Sequence, residues 1–447
     1  VNTTLKTPRI PSVAALLNPR FQRVAFATFL ALIVGAAFVK SWGKATTPSR
    51  LGDLTRTAIL RWKPQIEDLG RGVNIYETHN YPNPPIMALI LRPIVAGPPA
   101  MTFAVWFLIK VGLAALMVRW AISLVGGALP DWLVMMAVLL SLHPIIGDLT
   151  HGNVNLFIAA LVFGSLELLR RRWDGTAGIV LALAIACKVT PALFLPFFIW
   201  KRLGTAVLGT MIGLALWVAV VPGIFLGAES TRTLTVSWFT TMVKPFVIDG
   251  KITSEHPNQS VPGVVFRLFT SEPSFLTYGE DGNGPPEAAG RHTLVDLGTG
   301  TARKISQAFT IGFGLLIVLV CRVRSCGPEG MRQGVAFAAE CSLILLGMLL
   351  LSERTWKHHA VTLVLPMLTL LADWHVRGRS SSLMCVAGAA MLMLGQSALP
   401  EEGQNLALVY GVYTAAFAIL TGGVVSVLAT RHSWPNDSPA RSLPVAG

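Results

Sequence analysis

Charge is scarce in this chain. Asp, Glu, Lys and Arg make up 13% of its 447 residues, against about 25% in soluble domains. No polar stretch is long enough to enclose a core, which excludes a separate soluble domain of ordinary size. Cysteine is also sparse. Cys187, Cys321, Cys326, Cys341 and Cys385 fall in apolar runs or basic connections, a pattern that excludes a disulfide framework. No internal repeat is evident, and no His-x-x-x-His spacing or cysteine partner accompanies His358-His359. Adjacent histidines on a helix point about 100° apart, so a metal site is the weaker reading of that pair.

What is abundant is apolar sequence: 53% of the residues, with a mean hydropathy of +0.59. Repeated apolar runs predict an all-α polytopic membrane protein. About ten full spans are expected at 22–41, 101–119, 131–147, 153–170, 204–226, 305–322, 334–352, 358–375, 382–399 and 405–428. The first follows Arg20 and Arg23 and is read as a retained helix, not a leader. The stretch 174–202 has basic residues at both ends and is interrupted by Lys188-Val189-Thr190-Pro191. Proline disfavours helical geometry in the residue before it, so a hairpin of two short helices is expected there. With it the total reaches about twelve transmembrane or half-spanning helices.

The net charge of +13 sits largely in short connections such as Arg170-Arg171-Arg172, Lys201-Arg202 and Arg377 to Arg379. That distribution fits the positive-inside rule and argues against nucleic acid as a partner. It puts both termini in the cytosol and two long loops, 42–100 and 227–304, on the other face. Residues 1–431 are expected to form one membrane domain. The outer loops are expected to carry juxtamembrane helices, and 432–447 to be a disordered tail.

Polar clusters converge on the outer rim of this topology. Asp53, Glu67-Asp68 and His79-Asn80 come from the first loop, and Asp148 to Asn155, including His151 and Asn153, from a short connection. Glu255 to Ser260 and Arg267 come from the second loop, and Ser352-Glu353-Arg354-Thr355-Trp356-Lys357-His358-His359 from the mouth of a helix pair. Such a rim offers carboxylates that can take a proton from a hydroxyl and cations that can hold a phosphate leaving group. Taken singly, loop carboxylates are more often solubilising, and His151 and Asn153 suit a helix cap. Lys188 is harder to set aside, because a lysine inside an apolar segment must snorkel, pair or line a cavity. Glu167 and Glu340, near the basic helix ends, read as structural.

Several of these motifs, in order along the chain, resemble glycosyltransferase family 87. Asp148 to Leu156 resembles its G-(Q/N)-x-N-x-x signature, Ala184 to Pro191 its A-x-x-x-K-x-x-P, and Asn258-Gln259-Ser260 its N-Q-S. Ser352 to His359 resembles its S-P-x-S-W-x-H-H, with Glu353 and Thr355 in place of the Pro and second Ser. Gly72 to Tyr76 and Tyr81 to Pro85 resemble its G-x-x-x-Y…Y-P-P. The resemblance implies a GT-C-type fold. It also implies transfer of a sugar, often mannose, from a polyprenyl-phosphate donor to a lipid-linked or glycan acceptor on the non-cytosolic face, with inversion. On that footing Asp53 is the base, with Asp68 as alternate. His358, His359, Arg354 and Lys188 hold the donor phosphate, and His151, Asn153, Asn258, Gln259 and Tyr81 line the sugar pocket. The partners are then membrane lipids and the two lipid-linked substrates, in a bacterial plasma membrane, with no cofactor or metal. A transporter or lipid flippase is the alternative, since broken helices and a lysine at membrane depth also occur there. The one-sided clustering of polar groups and the missing repeats weigh against it.

Overall fold

The computed structural model describes residues 18–46, 57–79, 81–277, 287–321 and 332–430. Asp53, Asn80, Cys326 and the tail 432–447 lie outside them. The apolar runs fold as helices. The strands among the described residues are one short antiparallel hairpin, Phe275–Thr277 with Glu287–Gly290. Among the described residues, seven helices are long and apolar enough to cross a bilayer: Pro19–Ala45, Pro99–Val125, Gly204–Leu226, Gly298–Val320, Lys357–Arg377, Ser380–Ala398 and Val412–Ala429. The pair Asp131–Leu140 and Leu142–His151, bent by 50°, makes an eighth if counted as one span. The chain is an all-α polytopic integral membrane protein.

The count falls short of ten for identifiable reasons. The helices Asn155–Arg170 and Val335–Leu350 have 16 residues each, about 24 Å at 1.5 Å per residue, against about 30 Å of hydrocarbon. Both are largely buried among other helices, so protein rather than lipid sets their length. The run 405–428 still supplies one span, but it breaks at Tyr410-Gly411, where Gly411 takes a left-handed φ of +73°. A short Glu401–Val409 helix therefore precedes Val412–Ala429.

The interruption at Lys188 is present, between helices Asp174–Cys187 and Phe194–Trp200, with a 3₁₀ turn over Thr190–Leu193. Asp174–Cys187 lies against Gly204–Ala215 with both running the same way. A Cβ at Gly178 would stand 2.1 Å from the Ala206 carbonyl oxygen, one at Gly209 would stand 2.2 Å from that of Gly175, and one at Gly213 would meet Ala182. Two parallel neighbours that start at one level require the chain between them to go out and return, as the basic residues at both ends of 174–202 suggested.

That basic end is knitted by ion pairs: Arg23 to Asp131 at 2.7 Å, Lys201 to Glu340 at 2.7 Å, Arg332 to Asp174, and Arg377 to Asp373. Glu340 and Glu167 are thus structural, the latter held by Arg170 and Arg171 at 2.7 Å each. One buried apolar cluster runs from Ala37 to Leu428. The polar rim closes its opposite end.

The glycine seam gives a direct test of the parallel packing. Gly178→Ala or Gly209→Ala should destabilise the protein by at least about 1–3 kcal/mol through overpacking. Gly223→Ala, with open space around it, should stay within about 0.5 kcal/mol of the parent, all measured by thermal unfolding in detergent.

Candidate active site

The site is built on one buried carboxylate. Asp148, near the end of the Leu142–His151 helix, is fully buried. Its Oδ2 accepts the Leu156 N–H at 3.2 Å, placing a negative charge at the start of the Asn155–Arg170 helix, where the helix dipole favours it. Lys110, fully buried in the Pro99–Val125 helix, stands 3.5 Å from the same oxygen and donates to the Asp148 carbonyl at 2.6 Å. Asn155 donates from Nδ2 to Asp148 Oδ1 at 2.9 Å, and its Oδ1 accepts from Lys188 Nζ at 2.7 Å. A continuous chain, Lys110–Asp148–Asn155–Lys188, therefore carries fixed polarity from the protein interior to the interrupted helix.

Lys188 opens onto a small cavity of about 30 Å³, which it lines with Asn155, Thr190, Thr355, His359 and Thr362. That is room for about one water molecule. Two of the sequence-selected residues, Lys188 and His359, are thus brought together. His359 is anchored by the Trp356 N–H, which donates to its Nδ1 at 3.3 Å. His358 lies behind it, edge-on at 4.9 Å, and stacks on His151 at 4.6 Å. Asn153 Nδ2 meets His358 Nε2 at 3.2 Å, and His151 Nδ1 bonds the Gly147 carbonyl at 2.7 Å. Lys188, His358 and Arg354 act electrostatically on His359; His151, Lys188, Lys110 and Arg61 act on His358. The arrangement is a concentration of cationic and imidazole groups, suited to an anion.

A second cavity, of about 200 Å³, is lined by residues that flank Lys188 in sequence. Ala186, Val189, Pro84, Leu214, Trp217 and Trp238 line it among others. Both indoles are tied down by backbone carbonyls, Trp217 to Ile179 at 3.1 Å and Trp238 to Pro82 at 3.4 Å. Lys188 thus lines the first cavity and its chain neighbour Val189 the second.

Other selected residues take different positions. Asn258 is fully buried and its amide is saturated: Nδ2 donates to the carbonyls of Thr253 and Glu353, and Oδ1 accepts from the N–H groups of Ser260 and Thr355. Gln259, equally buried, donates to the carbonyls of His256 and Leu408 and accepts from the Tyr413 N–H. Neither offers a free donor to a sugar. Together they fasten the second loop to Ser352–His359 and to the break at Tyr410-Gly411. Arg267 works with them, donating to the carbonyls of Ser254, Glu255, Asn258, Leu408 and Val409. Burial pushes its guanidinium down to about 10. Tyr81 is fully buried between Trp62 and Tyr76, beneath the rim.

Arg354 lies at the edge, donating to Thr253 Oγ1 at 2.8 Å with Glu353 at 3.9 Å. The residues that depart from the family motif have defined jobs: Thr355 Oγ1 donates to Leu349 O at 2.7 Å, and Glu353 accepts from Thr253. Lys357 points away, to Gln396 at 3.2 Å. Asp68 ends the Ala58–Gly70 helix, about 15 Å along it from Ala58. The hydrogen bond from His79, ahead of that from Arg71, holds its carboxyl below the usual range.

Sequence reasoning passed over Lys110 and Arg61. Lys110 carried the same signal as Lys188, an ammonium inside an apolar run. Lys110→Met should cost about 3–5 kcal/mol by orphaning the buried Asp148 charge. Adding Asp148→Asn should recover part of that loss, both read as thermal stability of the purified protein.

The sequence model of glycosyltransferase family 87 matches residues 81–285, which takes in the Lys188 and Asn258-Gln259-Ser260 motifs and stops before Ser352–His359. A curated relative is the polyprenol-phosphate-mannose-dependent alpha-(1-2)-phosphatidylinositol mannoside mannosyltransferase of Mycobacterium tuberculosis (strain ATCC 25618 / H37Rv). It is 24% identical over 309 residues, 68% of this chain and 62% of the relative's own length. The ordered motifs, the family model over residues 81–285 and this relative all make the chain similar to glycosyltransferase family 87.

Proposed function

We propose that this protein transfers a sugar, mannose or a related hexose or pentose, from a polyprenyl-phosphate donor to a lipid-linked or glycan acceptor. The observation that carries the reading is a pair of cavities on either side of the Lys188-Val189 bond, one carrying Lys188 and His359 among apolar side chains and the other almost wholly apolar. A donor with a phosphate head and an isoprenoid tail has that same division. Lys188, His359 and Arg354 are the phosphate-holding groups, with His358 and His151 behind them. The active face is the non-cytosolic one, opposite the end rich in Arg and Lys.

In the reaction, a carboxylate takes the proton of the acceptor hydroxyl. The hydroxyl oxygen bonds to the anomeric carbon as the bond from that carbon to the phosphate oxygen breaks. The electron pair leaves with polyprenyl phosphate, and its growing charge falls on the cation cluster. Attack opposite the leaving group inverts the anomeric centre. Asp53 is the preferred base, four residues before Thr57, which packs on Gly152 beside His151. Asp68 is the weaker choice, because its pairing with His79 and Arg71 makes it a poorer proton acceptor.

Purified protein incubated with a panel of labelled polyprenyl-phosphate sugars should release polyprenyl phosphate and form a glycosylated acceptor. Asp53→Asn should cut kcat by about 10²- to 10⁴-fold, while Asp68→Asn retains most of it. Absence of turnover with every donor sinks the enzyme reading and favours transport. Full activity in Asp53→Asn removes that residue as the base.

A further inference from the structure

The Ala58–Gly70 helix carries a cation whose position the fold itself does not explain. Arg61 is half-buried, and no hydrogen bond or ion pair is made by its guanidinium among the described residues; its Nε is sealed from solvent without a partner. Burial alone acts on its pKa, and lowers it. A guanidinium in that condition is costly, since a buried charge is normally paired. The other arginines of the interior are spent: Arg267 on backbone carbonyls, and Arg332 on Asp174 and the Leu169 carbonyl.

The helix start fixes where Arg61 stands. A Cβ on Gly152 would come within 3.0 Å of Thr57 Cβ and 3.3 Å of Ile59 Cγ2, so the first turn lies directly on the residue after His151. Arg61 follows Thr57 by four residues, one turn up the same face. Thr57 Oγ1 is also buried without a partner. Arg61 lies within electrostatic range of His358, together with Lys110, Lys188 and His151.

We infer that Arg61 is a ligand for the donor phosphate, closing the cation cluster from the first-loop side opposite Lys188. The assignment rests on the function proposed above and deepens it. A phosphate group supplies what the site lacks: an anion able to accept two parallel N–H bonds from a guanidinium. Arg61 then has no partner among the described residues and gains one in the complex. Function, rather than stability, accounts for its presence.

The test uses the full chain in neutral-lipid nanodiscs, with two probes: a polyprenyl phosphate bearing no sugar, and inorganic phosphate. Arg61→Gln should raise the Kd for polyprenyl phosphate by about 10- to 100-fold, with Arg61→Lys in between because the ammonium keeps charge but not the planar fork. The melting temperature of ligand-free Arg61→Gln should equal or exceed that of the parent, because a half-buried charge without a partner among the described residues has been removed. Arg119→Gln, an exposed arginine at the basic end, should leave Kd unchanged. If inorganic phosphate binds the parent as tightly as the lipid and is weakened alike, Arg61 remains a phosphate ligand and the source is free phosphate. An unchanged Kd in Arg61→Gln overturns the assignment, as does failure of the parent to bind either probe. Binding that Arg61→Gln weakens, in a parent that transfers no sugar, sinks the transferase reading and leaves Arg61 standing.

Discussion

Asp148 is the group on which the site depends. Its carboxylate is fully buried, yet four different groups answer it: the Lys110 ammonium, the Asn155 amide, the Leu156 N–H and, through Asn155, Lys188. In a low-dielectric interior an uncompensated carboxylate is expensive, and that expense fixes geometry. Lys110 cannot leave without orphaning it, and Asn155 must keep its amide toward it. The amide oxygen is then turned to Lys188. A lysine beside a break in an apolar helix thereby gains a defined direction.

A second constraint comes from the backbone. Breaking a helix beside the membrane frees carbonyls that need donors. At the Tyr410-Gly411 break, Arg267 and Gln259 supply them, reaching Leu408 and Val409 from the second loop. Asn258 does the same for Thr253 and Glu353. The loop is held by side-chain-to-backbone bonds more than by apolar packing, which lets a polar segment lie firmly over the site. Two short helices meet at the site, Asn155–Arg170 by its start and Val335–Leu350 by its end, and each is about 6 Å shorter than a full crossing.

Much of this was legible in the sequence. The helical class, the interruption at Lys188 and the one-sided rim follow from hydropathy, proline chemistry and basic clusters. Lys188 stood out because ammonium groups do not enter apolar runs without cause. Lys110 obeys the same rule and was hidden by a longer, unbroken run. Arg61 sits in an amphipathic helix where an arginine looks like surface, and its isolation is visible only when its neighbours are known. Asn258 and Gln259 looked like sugar ligands because polar residues near a site resemble each other in sequence. Their hydrogen-bond partners are backbone groups far along the chain, which no local pattern reveals. Apolar run length alone does not distinguish a full crossing from a shorter helix buried in protein, such as Asn155–Arg170 or Val335–Leu350.

The proposal places a lipid phosphate beside Lys188, between the cavity that Lys188 lines and the apolar one that Val189 lines. An experimental structure of the protein in nanodiscs with bound polyprenyl phosphate tests it most directly. The phosphorus should lie within hydrogen-bond reach of Lys188 Nζ, with the first isoprene units along Val189, Trp217 and Trp238. A phosphate found at the basic end, or beside Lys357 and Gln396 with Lys188 still bonded to Asn155 alone, would contradict the account.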